Sequence, residues 1–314
     1  MQNKKEYSVV IPIYNEKENI SQLDKEIKEV MKKVSNNYEI IYINDGSTDN
    51  SSNILKKLDN IKIINLNKNY GQSTALDAGF KEAKGELVIS LDGDGQNNPA
   101  DIPKLINKLK KEDLDVVAGW RTKREDKKAK ILLSKTGNFF RKIFLNDKVH
   151  DTGCTLRVYK NKAVKSLDLQ GEMHRYILAL LKWKGFRIGE IPVNHRKRKN
   201  GKSNYGYKKS LKGFVDLIYV WFILKFSQRP LHIFGLLGVI SFISGIVIEV
   251  WMVIEKILGN INLSSNAWFS LGFFLIIAGI LFFGFGIVLD LLIKTYHNTS
   301  PYEQRYYIRE ILEK

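Results

Sequence analysis

The sequence predicts an α/β protein: a mostly parallel sheet with helices on both faces, followed by an amphipathic interface helix and two transmembrane helices. Three observations predict it. Short apolar runs alternate with segments of helical spacing from Tyr7 to Ala118, three of those runs end in polar or acidic residues, and two long apolar stretches follow Ile233.

Tyr7 to Ile11 reads as the first buried strand, ending where Pro12 stops the ladder and Ile13-Tyr14-Asn15-Glu16 follow. Ile20, Leu23, Ile27, Val30, Met31 and Val34 then recur at helical spacing. Tyr38 to Ile43 is a second strand, ending at Asn44-Asp45-Gly46-Ser47-Thr48-Asp49, and Ile61 to Leu66 a third. Asn69-Tyr70-Gly71-Gln72 leads into a helix with Ala75, Leu76, Gly79, Phe80 and Ala83 at its apolar positions, closed by Gly85. Leu87 to Leu91 is the fourth strand. It ends in Asp92-Gly93-Asp94-Gly95-Gln96-Asn97-Asn98-Pro99, after which Ile102, Leu105, Ile106 and Leu109 mark a helix and Asp115 to Ala118 a strand.

In open α/β sheets ligands sit beyond the carboxyl ends of the strands, so the polar ends at Tyr14, Glu16, Asp45, Asp92 and Asp94 outline one nucleotide pocket. A divalent cation there needs hard oxygen ligands, and alternation puts Asp92, Asp94 and the Gln96 amide on one side of an extended chain. Gly93 and Gly95 let the backbone approach a diphosphate closely. Asp-Gly-Asp-Gly is also ordinary turn chemistry, but a helix-loop-helix calcium site fails, because Asn97 stands where that loop wants glycine and Pro103 where it wants glutamate. No glycine fingerprint follows a strand and no Gly-Lys-Ser/Thr loop occurs, so the metal must handle the phosphates.

The chain has 314 residues, 44% of them hydrophobic, which supports a sizeable core and excludes disorder. A formal charge of +17 implies an anionic partner: nucleic acid, a phosphorylated ligand or a membrane's cytoplasmic face. Cys154 is the single cysteine, so there is no intrachain disulfide and no cysteine-rich zinc site. The first residues run into a strand without a signal-peptide stretch, and the bulk of the protein is expected in the cytosol.

From Arg121 to Lys142 the chain turns basic. One reading is a solvated charge run; the other is an anion site, in which Lys130 and Ser134, four apart on an expected helix, would present a charge and a hydroxyl to one phosphate. His150-Asp151-Thr152-Gly153 reads as structural. Glu172-Met173-His174-Arg175 opens an apolar helix from Tyr176 to Leu181, and Phe186 to Val193 is strand-like. His195-Arg196-Lys197-Arg198-Lys199-Asn200-Gly201-Lys202-Ser203-Asn204 is a cationic loop suited to phosphate contacts.

Leu211, Phe214, Val215, Ile218, Trp221, Phe222 and Lys225 follow helical spacing, with lysines at the start, as in a helix lying in the membrane interface. Ile233 to Ile254 holds one charge, Glu249, and Trp268 to Leu289 none. At about 1.5 Å per residue each is long enough to cross a hydrocarbon core of roughly 30 Å. The connection from Gly259 to Asn266 lacks Lys and Arg while both outer flanks are basic, so both termini, and with them the α/β domain, are expected on the cytoplasmic side.

Residues 7 to about 206 resemble glycosyltransferase family 2, and with the two-helix tail the chain resembles its polyprenyl-phosphate branch, the dolichol-phosphate mannose synthase type. The resemblance rests on Pro12-Ile13-Tyr14-Asn15-Glu16, Asn44-Asp45-Gly46-Ser47-Thr48-Asp49, Leu91-Asp92-Gly93-Asp94-Gly95-Gln96, Gly119-Trp120-Arg121 and Gly171-Glu172-Met173-His174-Arg175-Tyr176. It implies a GT-A (Rossmann-like) catalytic domain at 1–206, a juxtamembrane helix at 207–230, two transmembrane helices at 231–294 and a cytosolic tail at 295–314. By the same resemblance Pro12, Tyr14, Glu16, Ile43, Asp45, Asp92 and Gly93 bind the donor, and Asp94 with Gln96 holds a divalent metal, Mg2+ or Mn2+. Arg121, Lys130, Ser134 and Arg198 engage the acceptor phosphate, with Asp94, Arg121 and Arg198 the catalytic set. Two departures stand out: Asn44 where the family often has a first aspartate, and Lys130 where an arginine is common, which removes a bidentate contact.

The implied reaction is inverting transfer of a hexose from a nucleotide sugar, UDP-sugar ahead of GDP-mannose, to a dolichyl or undecaprenyl phosphate at the cell membrane. The expected partners are the nucleotide sugar, the polyprenyl phosphate, the bilayer and a second copy through the transmembrane helices, with no nucleic acid. Two alternatives compete: a polysaccharide synthase using a sugar hydroxyl, whose Gln-x-x-Arg-Trp motif is missing, and a membrane-tethered polycation. The second leaves the carboxylates at three strand ends unexplained.

Overall fold

The computed structural model describes residues 5–122, 149–197, 217–222, 225, 230–259, 266–299 and 308–313. The chain divides into two compact units, Met1–Val220 with Gln304–Lys314, and Trp221–Glu303.

The first unit is built on one 8-stranded sheet in the order β7-β5-β6-β4-β1-β2-β3-β8. Its strands are β1 (Tyr7–Ile13), β2 (Tyr38–Asn44), β3 (Lys62–Leu66), β4 (Leu87–Ser90), β5 (Val116–Arg121), β6 (Arg157–Lys160), β7 (Ile188–Val193) and β8 (Ile308–Glu313). The pairings β1–β2, β1–β4, β2–β3 and β5–β7 are parallel, because helical crossovers return the chain to the same edge. β6 runs antiparallel between β4 and β5, and β8 antiparallel against β3.

Helices cover both faces. Val9, Ile11 and Ile13 share one buried cluster with Leu23, Ile27 and Met31 of α1 (Ile20–Val34). Ile102, Leu105, Ile106 and Leu109 of α4 (Ile102–Lys111) join it. These apolar residues recur at three and four, the spacing that makes one buried stripe, and lysines close both last turns, where they complement the helix dipole. Between them in sequence come α2 (Ser51–Leu55) and α3 (Gln72–Glu82). α3 covers the opposite face so closely that a Cβ on Gly79 would collide with Val10 and Ile43 side chains.

Pro12 does not end β1, which continues to Ile13 with Pro12 in register with Ile43. Val10 O accepts Leu91 N (3.4 Å), so Val10, and with it Pro12 two residues on, faces the β4 side. The β1–β4 pairing has already ended at Val10 and Ser90, so the missing N–H of Pro12 has no bond to lose. Residues 308–313, expected in a tail, form the eighth strand, and Leu312 packs against the core.

The second unit consists of two apolar helices, Pro230–Ile257 and Ala267–Thr299, both long and apolar enough to cross a membrane. Glycines seven apart, Gly238 and Gly245 on one and Gly272 and Gly279 on the other, bring the backbones together. A Cβ on Gly279 would sit 2.7 Å from Gly238 O, and one on Gly245 2.6 Å from Gly272 O. Ser241 Oγ donates to Leu275 O (2.8 Å), and Trp251 meets Trp268 edge to face at 6.3 Å. Residues 217–222 are helical, with Leu217 and Val220 buried and Ile218 and Tyr219 exposed. Most of the expected interface helix lies outside the described residues.

Candidate active site

Because β4, β1 and β2 are neighbours in the sheet, their carboxyl ends bring Asp92, Tyr14 with Glu16, and Asp45 to one edge. Asn15, in the left-handed region at φ 56, stitches the ends of β1 and β2 together. Its Oδ1 accepts Thr48 N (2.8 Å) and Asp49 N (3.3 Å), and its own N donates to Ser47 Oγ (3.1 Å). Glu16 N donates to Ser51 Oγ (3.0 Å) and its carboxylate accepts Asn19 Nδ2 (2.6 Å). Tyr14 is exposed, open to a ligand. Pro12 and Ile43 stand side by side on β1 and β2.

Asn44 is buried, accepts Ser47 N (3.1 Å) and donates from Nδ2 to Asn65 Oδ1 (2.9 Å) on β3. An aspartate could not make that donation, which gives the departure from the family pattern a local reason: the site here is an amide pair.

Asp45 is buried, and each of its oxygens accepts a backbone N–H, Tyr70 N at 2.7 Å and Gly71 N at 2.9 Å. Burial pushes its carboxyl up, and those two bonds offset only part of the shift. Gln72, the next residue, donates from Nε2 to Asp92 Oδ1 (2.6 Å). Burial and then the charge of Asp94 push Asp92 up to about 7, against the pull of Thr155, Arg121 and Arg157.

Asp94 accepts Gln96 N (3.0 Å), which curls the loop. Gly95 sits there at φ 71, whereas a Cβ on Gly93 would collide with the Ile13 side chain, so Gly93 also serves the packing of β4 on β1. The loop is held from the other side by residues 194–196. Asn97 pairs with His195, Arg196 N donates to Gln96 O (2.9 Å), and Gln96 Nε2 to Arg196 O (3.3 Å). Arg196 reaches Glu26 (2.6 Å) and Asn98 (2.7 Å), which makes it a strut rather than a phosphate ligand.

The hard oxygens of Asp92, Asp94 and Gln96 suit a divalent cation, and the mutual repulsion of the two carboxylates is what a cation would relieve. Among the described residues no cluster of three or more His, Cys, Asp or Glu occurs. Few protein ligands at the end of a sheet fit an ion that completes its shell with substrate phosphates and water, as Mg2+ does.

Arg121 ends β5. It donates from N, Nε and Nη2 to the Asp151 carboxylate at 3.2, 2.7 and 2.9 Å. Burial works against its charge, but the pairing outweighs it and holds Arg121 charged beyond its ordinary range. Arg157 on β6, absent from the sequence expectations, is fully buried. Its Nη2 donates to Thr152 O (2.6 Å), and Nε has no partner among the described residues. A lone arginine on a four-residue strand carries no sequence signal for such a place. Lys130, Ser134 and Arg198 lie outside the described residues. A groove of about 1700 Å³ lies at the opposite edge, lined by Tyr7, Leu87, Lys62, Lys160 and Asp113 among others. Within it Lys62 pairs with Glu82 and Lys160 with Asp113, and it lies away from the carboxyl ends that carry Asp45, Asp92 and Asp94.

Residues 8–168 match the family model described as glycosyl transferase family 2. Over 98% of its length the chain is 32% identical to the dodecaprenyl-phosphate galacturonate synthase of Rhizobium johnstonii, covering 93% of that protein. Among solved structures, glucosyl-3-phosphoglycerate synthase of Mycobacterium tuberculosis in complex with phosphoglyceric acid superposes with a TM-score of 0.55 at 16% identity, over 70% of this chain and 80% of that one. The same enzyme with Mn2+ and UDP-glucose gives 0.55 at 15%, over 70% and 79%. At these identities the structural likeness is one of fold.

Proposed function

The chain belongs to glycosyltransferase family 2, and from that premise we propose that it transfers a hexose or hexose derivative from a nucleotide sugar to a polyprenyl phosphate at the cytoplasmic face of a membrane. The observation that carries the reading is the adjacency of β4, β1 and β2, which gathers Asp92, Asp94, Asp45, Tyr14 and Glu16 at one carboxyl edge. The likeness to a polyprenyl-phosphate sugar synthase over nearly the whole chain, apolar helices included, supports the lipid acceptor.

In this reading Pro12, Tyr14, Glu16, Ile43 and Asp45 hold the nucleoside, and Asp92 with Gly93 holds the donor's sugar diphosphate. Asp94 and Gln96 would hold Mg2+ or Mn2+, which when bound offsets the negative charge of the departing diphosphate. Arg121, with Lys130, Ser134 and Arg198, receives the acceptor phosphate. A phosphate monoester has its second pKa near 6 and arrives largely dianionic, so it needs no protein base. Its oxygen attacks the anomeric carbon from the face opposite the nucleoside diphosphate, the C–O bond to the diphosphate breaks, and configuration inverts. The protein's task is to bring two anions together, which fixed cations at the edge perform. Residues 1–206, joined by the strand at 308–313, form the catalytic domain, and the basic flanks of the apolar helices support a cytoplasmic side for both termini. UDP-sugars rank first as donors and GDP-mannose next.

The test is incubation of the purified protein with undecaprenyl phosphate, Mg2+ or Mn2+ and a panel of labelled nucleotide sugars. Label from one donor should enter the organic phase as a glycosyl phospholipid. Label released only as free sugar or polymer would contradict the reading.

A further inference from the structure

We propose that Asp151 is a positioning residue that aims Arg121 at the acceptor phosphate, an inference that rests on the transfer reaction above. The His150-Asp151-Thr152-Gly153 stretch has no other part in that reaction. Arg121 N and Nε both reach Asp151 Oδ2, at 3.2 and 2.7 Å, and Nη2 reaches Oδ1 at 2.9 Å. A side-on fork of this kind fixes the guanidinium plane and leaves Nη1 as the group that meets a ligand.

The carboxylate is itself held. Its side chain is 1% exposed, and Gly153 N donates to Oδ1 (3.1 Å). A Cβ on Gly153 would stand 2.7 Å from Arg121 Nη2, so a larger residue there would displace the fork. Behind the loop, both oxygens of Glu190 on β7 accept His150 N at 3.0 Å, Glu190 Oε1 accepts Asp151 N at 3.3 Å, and Trp120 stacks on His150 at 4.3 Å. β6 runs antiparallel to both β4 and β5, so these two point the same way, and Arg121 at the end of β5 stands on the same carboxyl edge as Asp92 beyond β4.

The same geometry excludes Asp151 as a proton acceptor. A carboxylate offers about four lone-pair positions, and Arg121 N, Nε and Nη2 with Gly153 N take that many donors. Asp151 therefore acts through Arg121 and touches no reacting atom.

The experiment uses the full-length protein, the donor that wild type accepts and undecaprenyl phosphate. Asp151→Asn should raise the KM for the lipid phosphate at least about tenfold, with the donor KM within about twofold of wild type. In the Arg121→Gln background the same change should cost little more, because the group it positions is gone. A fall in kcat of about a hundredfold or more at saturating lipid, with the lipid KM unchanged, would make Asp151 a base and overturn the inference. Asp151→Asn strands a buried arginine. Should it fail to fold, the neutral pair Arg121→Gln with Asp151→Asn is compared with Arg121→Gln alone: equal rates support the inference, and a pair more than about tenfold slower refutes it. A wild type that transfers nothing to polyprenyl phosphate defeats the transfer reading and this inference with it. Transfer by wild type with an unmoved lipid KM in Asp151→Asn defeats this inference alone.

Discussion

Asp45→Asn tests whether the donor edge is organised by the loop that precedes α3. In wild type each Asp45 oxygen accepts one backbone N–H, from Tyr70 at 2.7 Å and Gly71 at 2.9 Å. Hydrogen bonds to a charged acceptor contribute about 1.5–3 kcal/mol each. Asparagine keeps one carbonyl acceptor and turns an NH2 toward the other N–H, so one bond is lost and a donor faces a donor. Removing a charge that burial disfavours returns part of that loss, which leaves about 2 kcal/mol of local destabilisation. At 1.4 kcal/mol per decade this is roughly a thirtyfold rise in hydrogen exchange at the Tyr70 and Gly71 amides. Gln72 follows Gly71 and bonds Asp92 at 2.6 Å, so the loss reaches the donor side. Nucleotide-sugar affinity should fall about tenfold with it. Unchanged protection at Tyr70 and Gly71 alongside lost donor affinity would refute the reasoning and make Asp45 a direct ligand of the donor only.

Asp94→Ala, and chelation of divalent ions in wild type, should each abolish transfer while the far-UV circular dichroism stays that of wild type; turnover near wild type in either would remove the metal from the reaction. Gly279→Val drives a side chain against Gly238 O and Phe242 N, both 2.7 Å from the Cβ position, and should destabilise the helix pair by about 1–3 kcal/mol. Gly284→Ala, with nothing within 4 Å of its Cβ position, should leave the melting temperature in detergent unchanged. Burial alone would raise the Asp115 carboxyl, but the Arg187 N–H, Lys160 and Lys162 outweigh it and hold it well below the usual carboxylate range. With the folded value below the unfolded one, near about 3.9, its stabilisation is present above about pH 4 and lost as pH falls through the folded value. Asp115→Asn should therefore flatten the acid limb of the denaturation midpoint against pH, and an unchanged limb would contradict the assignment.

The candidate site was legible where a local pattern carries the physics. Leu87 to Leu91 ending in Asp92 and Asp94 reads as a strand that delivers carboxylates to a sheet edge, and the structure puts it there beside β1. What escaped depends on partners distant in sequence. β6 has four residues and inserts antiparallel between β4 and β5, a choice made by the strands on either side of it. β8, with the sequence IREILE, has no strand alternation and takes its form from the open edge of β3. Pro12 reads as a stop because proline lacks a donor, yet the neighbouring strand has already ended where that donor would point. Asp151 reads as half of a structural His-Asp pair, and its partner Arg121 lies 30 residues earlier, across a stretch no local spacing bridges.

The measurement that bears most directly on the central claim is a comparison of two acceptors of equal chain length, a polyprenyl phosphate and the corresponding polyprenyl alcohol, with one labelled donor and saturating metal. An active site that supplies cations and no base should glycosylate the phosphate, which brings its own charge, and leave the alcohol untouched. Equal transfer to the alcohol, or transfer to a sugar hydroxyl in place of both, would contradict the account.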